Sequence, residues 1–135
     1  MFKTLGIAAV ALSLVACAGM TKPGASSMKL EDVKAKGRKL TAEETTALVL
    51  GAKIEGRALD SGAAYTLTPT ADGKFTGRSD RGTFAGTWNM NAQGQTCFYT
   101  QPTPSSEPCA DHYMIGDKIY AVTPSGHVLD RRITR

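Results

Sequence analysis

Between residues 53 and 133, turn residues cut the chain into eight runs of five to eight residues each. No helix of ordinary length fits between the breaks, so this stretch must fold from short strands. The runs span about 53–59, 63–69, 73–79, 83–90, 95–101, 112–116, 118–123 and 127–133. The breaks are Asp60-Ser61-Gly62, Ala71-Asp72-Gly73, Asp80-Arg81-Gly82, Asn91 to Gly94, Gly116-Asp117 and Pro124-Ser125-Gly126. Glycine and Asx residues suit these positions because tight turns need a left-handed or side-chain-bonded backbone. Within Thr83–Met90 the period of two puts Phe84, Gly86, Trp88 and Met90 on one face. That face belongs in the core, with Trp88 as its largest filler. Tyr65 with Leu67, and Ile119 with Ala121, repeat the alternation. The fold class is mainly β: a small antiparallel barrel or sandwich of about seven or eight short strands, preceded by one short helix.

The helix is legible in Thr41-Ala42-Glu43-Glu44. A threonine followed three residues later by glutamate forms a capping box, in which each side chain bonds the other residue's amide. The two acids also suit the positive end of the helix dipole. The helix should run from about Ala42 to Leu50 and stop at Gly51, with Ala47, Leu48 and Leu50 facing the sheet. It is too short to stand alone. Residues 101–108 hold Pro102, Pro104 and Pro108, which remove three donors and fix three φ angles, so this is an exposed loop.

The N-terminus has a different logic. Residues 1–16 carry a basic start at Lys3, an apolar centre from Leu5 to Val15 and small residues before Cys17. That is a secretory signal, with an apolar run shorter than the roughly 20 residues that span a bilayer. Leu14-Val15-Ala16-Cys17 resembles the lipobox of bacterial lipoproteins. The resemblance implies cleavage before Cys17, a thioether-linked diacylglycerol and an acylated amine on that residue. Each buried methylene contributes about 0.8 kcal/mol, so several chains hold stably where one does not. Ala18 in place of Asp implies, by the enterobacterial sorting rule, the outer membrane facing the periplasm. The alternatives are an ordinary signal cut near Ala18 and an uncleaved anchor.

Residues 17–40 then read as the lipidated cysteine and a basic tether, with a single domain from 41 to 135. Pro23 and Gly24 break a small, polar stretch. A lysine-rich part with one or two possible helical turns around Leu30 and Val33 follows. A coil of that length holds the domain on the order of 25 to 30 Å from the membrane. Its lysines either touch anionic lipid heads, at about 1 kcal/mol each, or form a solvated spacer.

Net charge is +4, but it is unevenly spread. Residues 41–135 hold nine basic and ten acidic side chains, so the domain has no basic footprint for nucleic acid. The partners expected are the membrane, through Cys17, and an unknown envelope protein or polymer. Cys97 and Cys109 remain after Cys17. In an oxidising compartment they read as a disulfide, worth about 3 kcal/mol on the loop-entropy argument; two free thiols are the other state. No C-x-x-C spacing marks a redox pair.

Candidate chemistry is sparse. Asp111, His112, His127 and Asp130 would hold a metal only if the last strands converged, and adjacent strand residues point apart. We therefore expect no metal and no cofactor. Ser125, His127 and Asp130 contain the residue types of a triad without a nucleophile elbow. Arg131, Arg132 and Arg135 read as a solvated basic tail. Tyr65, Tyr99, Tyr113, Tyr120 and Trp88 either line a ligand groove or fill the core.

One further likeness is carried by Leu40-Thr41-Ala42-Glu43-Glu44, Gly51, Tyr65, Asp72-Gly73, Gly86-Thr87-Trp88, Cys97 and Cys109. Together they resemble a group of small exported proteins of alphaproteobacteria. The resemblance implies a short helix, a β-meander with a Gly-Thr-Trp strand and a cysteine pair, and an exported location; it brings no established activity with it. A weaker similarity is to lipidated β-barrel protease inhibitors. The expected function is non-enzymatic: an envelope lipoprotein presenting a disulfide-pinned β domain for protein or polymer contact, with a filled core. The alternatives are a lipocalin-like small-ligand binder, which needs a hollow interior, and an inhibitor of a secreted protease.

Overall fold

The computed structural model describes residues 23–135; Cys17, the signal segment 1–16 and the first tether residues lie outside them. In chain order the elements are α1 (Leu30–Lys36), β1 (Arg38–Lys39), α2 (Ala42–Val49), β2 (Lys53–Arg57) and β3 (Ala64–Pro69). There follow β4 (Lys74–Ser79), β5 (Gly82–Met90), β6 (Thr96–Gln101), β7 (Cys109–Ile115), β8 (Lys118–Val122) and β9 (Val128–Thr134). From β2 to β9 every strand pairs antiparallel with the next, and β9 returns to pair with β2. The meander therefore closes, and the choice between sandwich and barrel falls to an eight-stranded barrel. Closure removes the unpaired edges that an open sheet would expose.

Strand alternation fixes what points inward. Ile54 pairs with Leu67 and Ile133, and Phe75 with Gly86. Ile54, Leu67 and Phe75 are buried, while Lys53, Lys74 and Thr76 between them are exposed. Phe75 is the largest fully buried side chain. Its ring meets Phe98 edge-on at 5.6 Å and Phe84 at 6.2 Å, an arrangement that suits the ring quadrupoles. Gly86 makes this possible, because a Cβ there would come within 2.7 Å of the Phe75 ring. Trp88 also faces inward but is not the fully buried filler expected. It sits by the β3–β4 turn, where its Nε1–H donates to the Thr70 carbonyl at 2.8 Å and keeps the indole tip near water.

α2 closes one end of the barrel. The capping box is formed: Glu44 N donates to Thr41 Oγ1 at 3.1 Å, and Thr41 N to Glu44 Oε1 at 3.2 Å. The buried side of α2 consists of Thr45 and Val49, four residues apart. Val49 packs with Ile54, Leu67 and Phe75. Ala47, expected on this side, is exposed.

The domain begins earlier than residue 41. α1 lies on the outer face of β7–β9, where Val33 is fully buried among Tyr120, Val122 and Val128. β1 pairs with β7, Arg38 opposite Met114 and Lys39 opposite Tyr113. The segment does not act as a free spacer because Leu30 and Val33 make a short apolar stripe, and the outward side of β8 and β9 is itself apolar. Lys29, Lys34 and Lys36 remain on the exposed side.

Two seams in the wall are thin. β6 and β7 pair only at Thr96–Ala110 and Cys97–Cys109, and there the Cys97–Cys109 disulfide crosses between them. β2 and β9 pair only from Lys53–Thr134 to Glu55–Arg132. Beyond that point the two strands part, and the N-terminal segment bridges them. Gly24 N donates to the Leu59 carbonyl at 3.2 Å, and Ser26 N to the Val128 carbonyl at 2.7 Å. Among the described residues, no helix is long and apolar enough to cross a membrane.

Candidate functional site

Where β2 and β9 part, the wall opens into the barrel. The opening is an irregular cavity of about 1240 Å3, bordered by residues 24–28, the ends of β2 and β3, and β8–β9. Its inward-facing lining includes Tyr65, Met114, Ile119, Arg131 and Ile133. Register explains this set. Ile119 pairs with Arg131 and Met114 with Ile119, and Arg131 lies two residues from Ile133, so all share the inner face. Tyr65, Phe84, Phe98, Met114, Arg131 and Ile133 each keep partial exposure although they point inward. The interior is packed around Phe75, with Val49, Ile54 and Leu67, and opens on the side of Arg131, so the filled core expected is found in part. Eight strands leave just enough width for side chains or for one small ligand.

Arg131 is the distinctive residue of this opening. Its guanidinium lies 5.8 Å from the centre of the Tyr65 ring, a cation–π distance, and its Nη1 donates to Tyr65 Oη. Gly56 makes room for both: a Cβ there would stand 2.6 Å from Arg131 Nη1 and 2.8 Å from Tyr65 Oη. Among the described residues no carboxylate forms an ion pair with Arg131. The expectation of a solvated tail is corrected for this residue. β9 continues to Thr134, and alternation sends Arg131 inward between Leu129 and Ile133. Arg132 points outward to Glu55 at 3.5 Å, and Arg135 donates to the Ala47 carbonyl near the end of α2. The sequence held the signal, since Leu129, Arg131 and Ile133 stand two apart in a run already read as a strand.

His112 lies in the next inward layer, opposite Ala121, which pairs with Leu129. It is 5 % exposed, and its Nδ1 has no hydrogen-bond partner. Burial, with the positive charge of Arg131 as a smaller cause, lowers its pKa from 6.5 to about 3. The ring is neutral at any physiological pH.

The other sequence candidates separate. Asp111 faces outward, 3.3 Å from Lys39 Nζ, on the side of the strand opposite His112. Asp130 accepts from Ser26 Oγ at 2.7 Å on the outer surface. His127 sits in the β8–β9 loop. Among the described residues no three His, Cys, Asp or Glu side chains are placed to hold a metal ion. Tyr113 and Tyr120 pack with the α1 cluster, Tyr99 lies 3.8 Å from Cys109 Sγ, and only Tyr65 of the four tyrosines lines the interior.

His127 does find a carboxylate, but it is Glu107 of the proline-rich loop rather than Asp130. His127 Nδ1 is 2.9 Å from Glu107 Oε2 and 2.8 Å from Ser125 Oγ. Ser125 N donates to Glu107 Oε1 at 3.1 Å. A serine relay needs hydroxyl and carboxylate on opposite ring nitrogens; here both meet Nδ1. The cluster ties the 102–108 loop to the β8–β9 loop. The Ser125 hydroxyl, then His127, hold the Glu107 carboxyl below its ordinary range against the opposing effect of burial.

No family model matches the chain, and no curated protein matches it. A crystal structure of a DUF4847 family protein from Bacteroides vulgatus is similar over 52% of this chain and 57% of its own, at 20% identity and a TM-score of 0.39. The match thus spans less than two thirds of that protein, and no functional residue is carried over from it.

Proposed function

We propose that this protein is a lipid-anchored component of the bacterial envelope whose barrel binds a small amphipathic molecule through the opening between β2 and β9. The observation that carries the reading is an inward-facing Arg131 without a carboxylate partner, set among Tyr65, Ile119 and Ile133 in an accessible interior. Binding sites are concave and mostly apolar, with a few placed polar groups; the inward lining of Tyr65, Met114, Ile119 and Ile133 around Arg131 fits that description, beneath a polar and charged rim. The proposal assigns binding and no reaction. Anchoring at Cys17 and residence in the outer membrane rest on the lipobox resemblance.

The binding half is tested by exporting residues 18–135 behind a non-lipid signal, extracting the purified domain with solvent and identifying what co-purifies by mass spectrometry. The control is Gly56→Leu, which projects a side chain into the opening. A molecule retained by the parent domain and lost from the control supports the reading. Equal retention by both, or no molecule together with no uptake of any amphiphile, overturns it. The anchoring half is tested by metabolic labelling with a fatty acid: label that persists in Cys17→Ala overturns the anchor.

A further inference from the structure

The opening has a head-group preference written into its donors. On the inward face of the eight barrel strands, Arg131 is the one lysine or arginine among the described residues. Of its five N–H donors, the acceptor present is Tyr65 Oη. Because that oxygen accepts from Arg131, the Tyr65 hydroxyl keeps its own proton to donate outward. Several donors and one positive charge thus converge on one side of the cavity, with no acceptor besides Tyr65 Oη among the described residues. Leaving buried or half-buried donors unmade is costly, and a full positive charge in an apolar surround more so.

His112 lies one layer deeper, behind the lining of the cavity. It is more than nine-tenths buried, it faces the interior one layer beyond Arg131, and its Nδ1 is unpartnered. A neutral imidazole there adds a further hydrogen-bonding group without a second charge.

Resting on the ligand-binding reading above, we propose that the molecule bound is a monoanionic amphiphile, an aliphatic carboxylate. Its head group is held by Arg131 and Tyr65, and its chain lies against Met114, Ile119 and Ile133. One guanidinium matches a carboxylate as a two-pronged donor and neutralises one charge. A phosphate monoester carries nearly two negative charges, and the second would stay uncompensated in a partly dry site. The rim agrees: Arg57, Arg78, Lys118 and Arg132 border the opening, as do Glu55, Asp117 and Asp130, leaving a small excess of positive charge that favours approach of an anion.

The test is calorimetric titration of the 18–135 domain, which contains every described element and its own core. Four probes share one chain and differ in head group: dodecanoate, dodecyl phosphate, dodecanol and dodecyltrimethylammonium, all below their micelle concentrations. Dodecanoate should bind about tenfold or more tighter than dodecanol. Arg131→Met should weaken dodecanoate by roughly 10- to 100-fold, the range for loss of a charge-assisted pair, and change dodecanol by no more than about threefold. Tyr65→Phe, nearly the same shape, should weaken dodecanoate by about fivefold and guards against a folding defect in the arginine variant. Equal binding of dodecanoate and dodecanol, preference for the ammonium, or tighter binding of the phosphate overturns the carboxylate assignment and leaves the ligand-binding reading standing. Failure of all four probes overturns both.

Discussion

Acidification should destabilise this protein through His112 before its carboxylates titrate. The buried ring has a pKa of about 3 in the folded state, against about 6.5 for an unfolded histidine. A folded pKa depressed below the unfolded value means that the unfolded chain takes up a proton the native chain refuses. Stability from this residue is therefore complete above about pH 6.5 and is lost as pH falls toward 3. The slope approaches 1.4 kcal/mol per pH unit. Between about pH 7.5 and pH 5 the loss is therefore on the order of 2 kcal/mol, a large part of the 5–15 kcal/mol that stabilises an ordinary domain.

The measurement is urea unfolding of the 18–135 domain at those two pH values, for the parent and for His112→Met. Methionine fills a similar volume and adapts to irregular gaps, and it removes a buried nitrogen that has no partner, so the variant should be at least comparably stable at neutral pH. All other titrating groups are common to both proteins and cancel in the difference. The parent should lose about 2 kcal/mol more than the variant. Equal acid losses in the two proteins would refute the assignment of a depressed titration to a buried, neutral His112.

Three further outcomes follow from named contacts. Thr41→Ala removes one half of the capping box and should cost about 1 kcal/mol in urea unfolding, with no change in ligand binding. Replacing Cys97 and Cys109 by alanine frees a seam that is otherwise paired at only two positions. It should cost about 2–4 kcal/mol, read as a lowered melting temperature under non-reducing conditions. Glu107→Gln weakens the tie between the 102–108 loop and the β8–β9 loop. Because the folded carboxyl titrates below its ordinary 4.5, its contribution is present above that pH and lost as pH falls below it. Parent and variant should therefore differ in loop proteolysis at neutral pH and converge in acid.

The strands were legible because their boundaries are chemical. Glycine and Asx residues marked the turns, and period two placed Phe84, Gly86 and Trp88 on the inner face. Closure was not legible. Whether the last strand returns to the first depends on accumulated twist and stagger, which no local residue records. The tether was misjudged because its lysines dominate the composition. Val33 needed only one buried face, and that face exists because Tyr120, Val122 and Val128 point out of the barrel, a fact held some ninety residues away. Arg131 is the residue whose place composition hides. Composition grouped it with Arg132 and Arg135 as a basic end, while periodicity placed it with Leu129 and Ile133. Here the local alternation was the better guide, and a charge on the apolar phase of a strand marks a candidate site even when it sits near a terminus.

The placement of residues 23–28 joins the proposed anchor to the proposed site. Five residues separate Cys17 from Pro23, so a lipid on Cys17 would hold the start of the domain within roughly 20 Å of the bilayer even at full extension. That start borders the β2–β9 opening, and the exposed Lys29 before α1 and Lys34 and Lys36 within it favour contact with anionic head groups. An amphiphile leaving the barrel would thus enter the membrane with little passage through water. Inserting about 20 Gly/Ser residues after Ala18 roughly doubles the mean reach of a flexible coil and touches no contact among the described residues. Affinity for dodecanoate measured on the non-lipidated domain should be unchanged by the insertion. Transfer of a fluorescent fatty acid from the lipidated protein to its own vesicles should slow, because the carrier no longer sits against the acceptor surface. Unchanged transfer with unchanged affinity would separate the two functions, leaving the anchor to set address alone and the opening to exchange its ligand through solution.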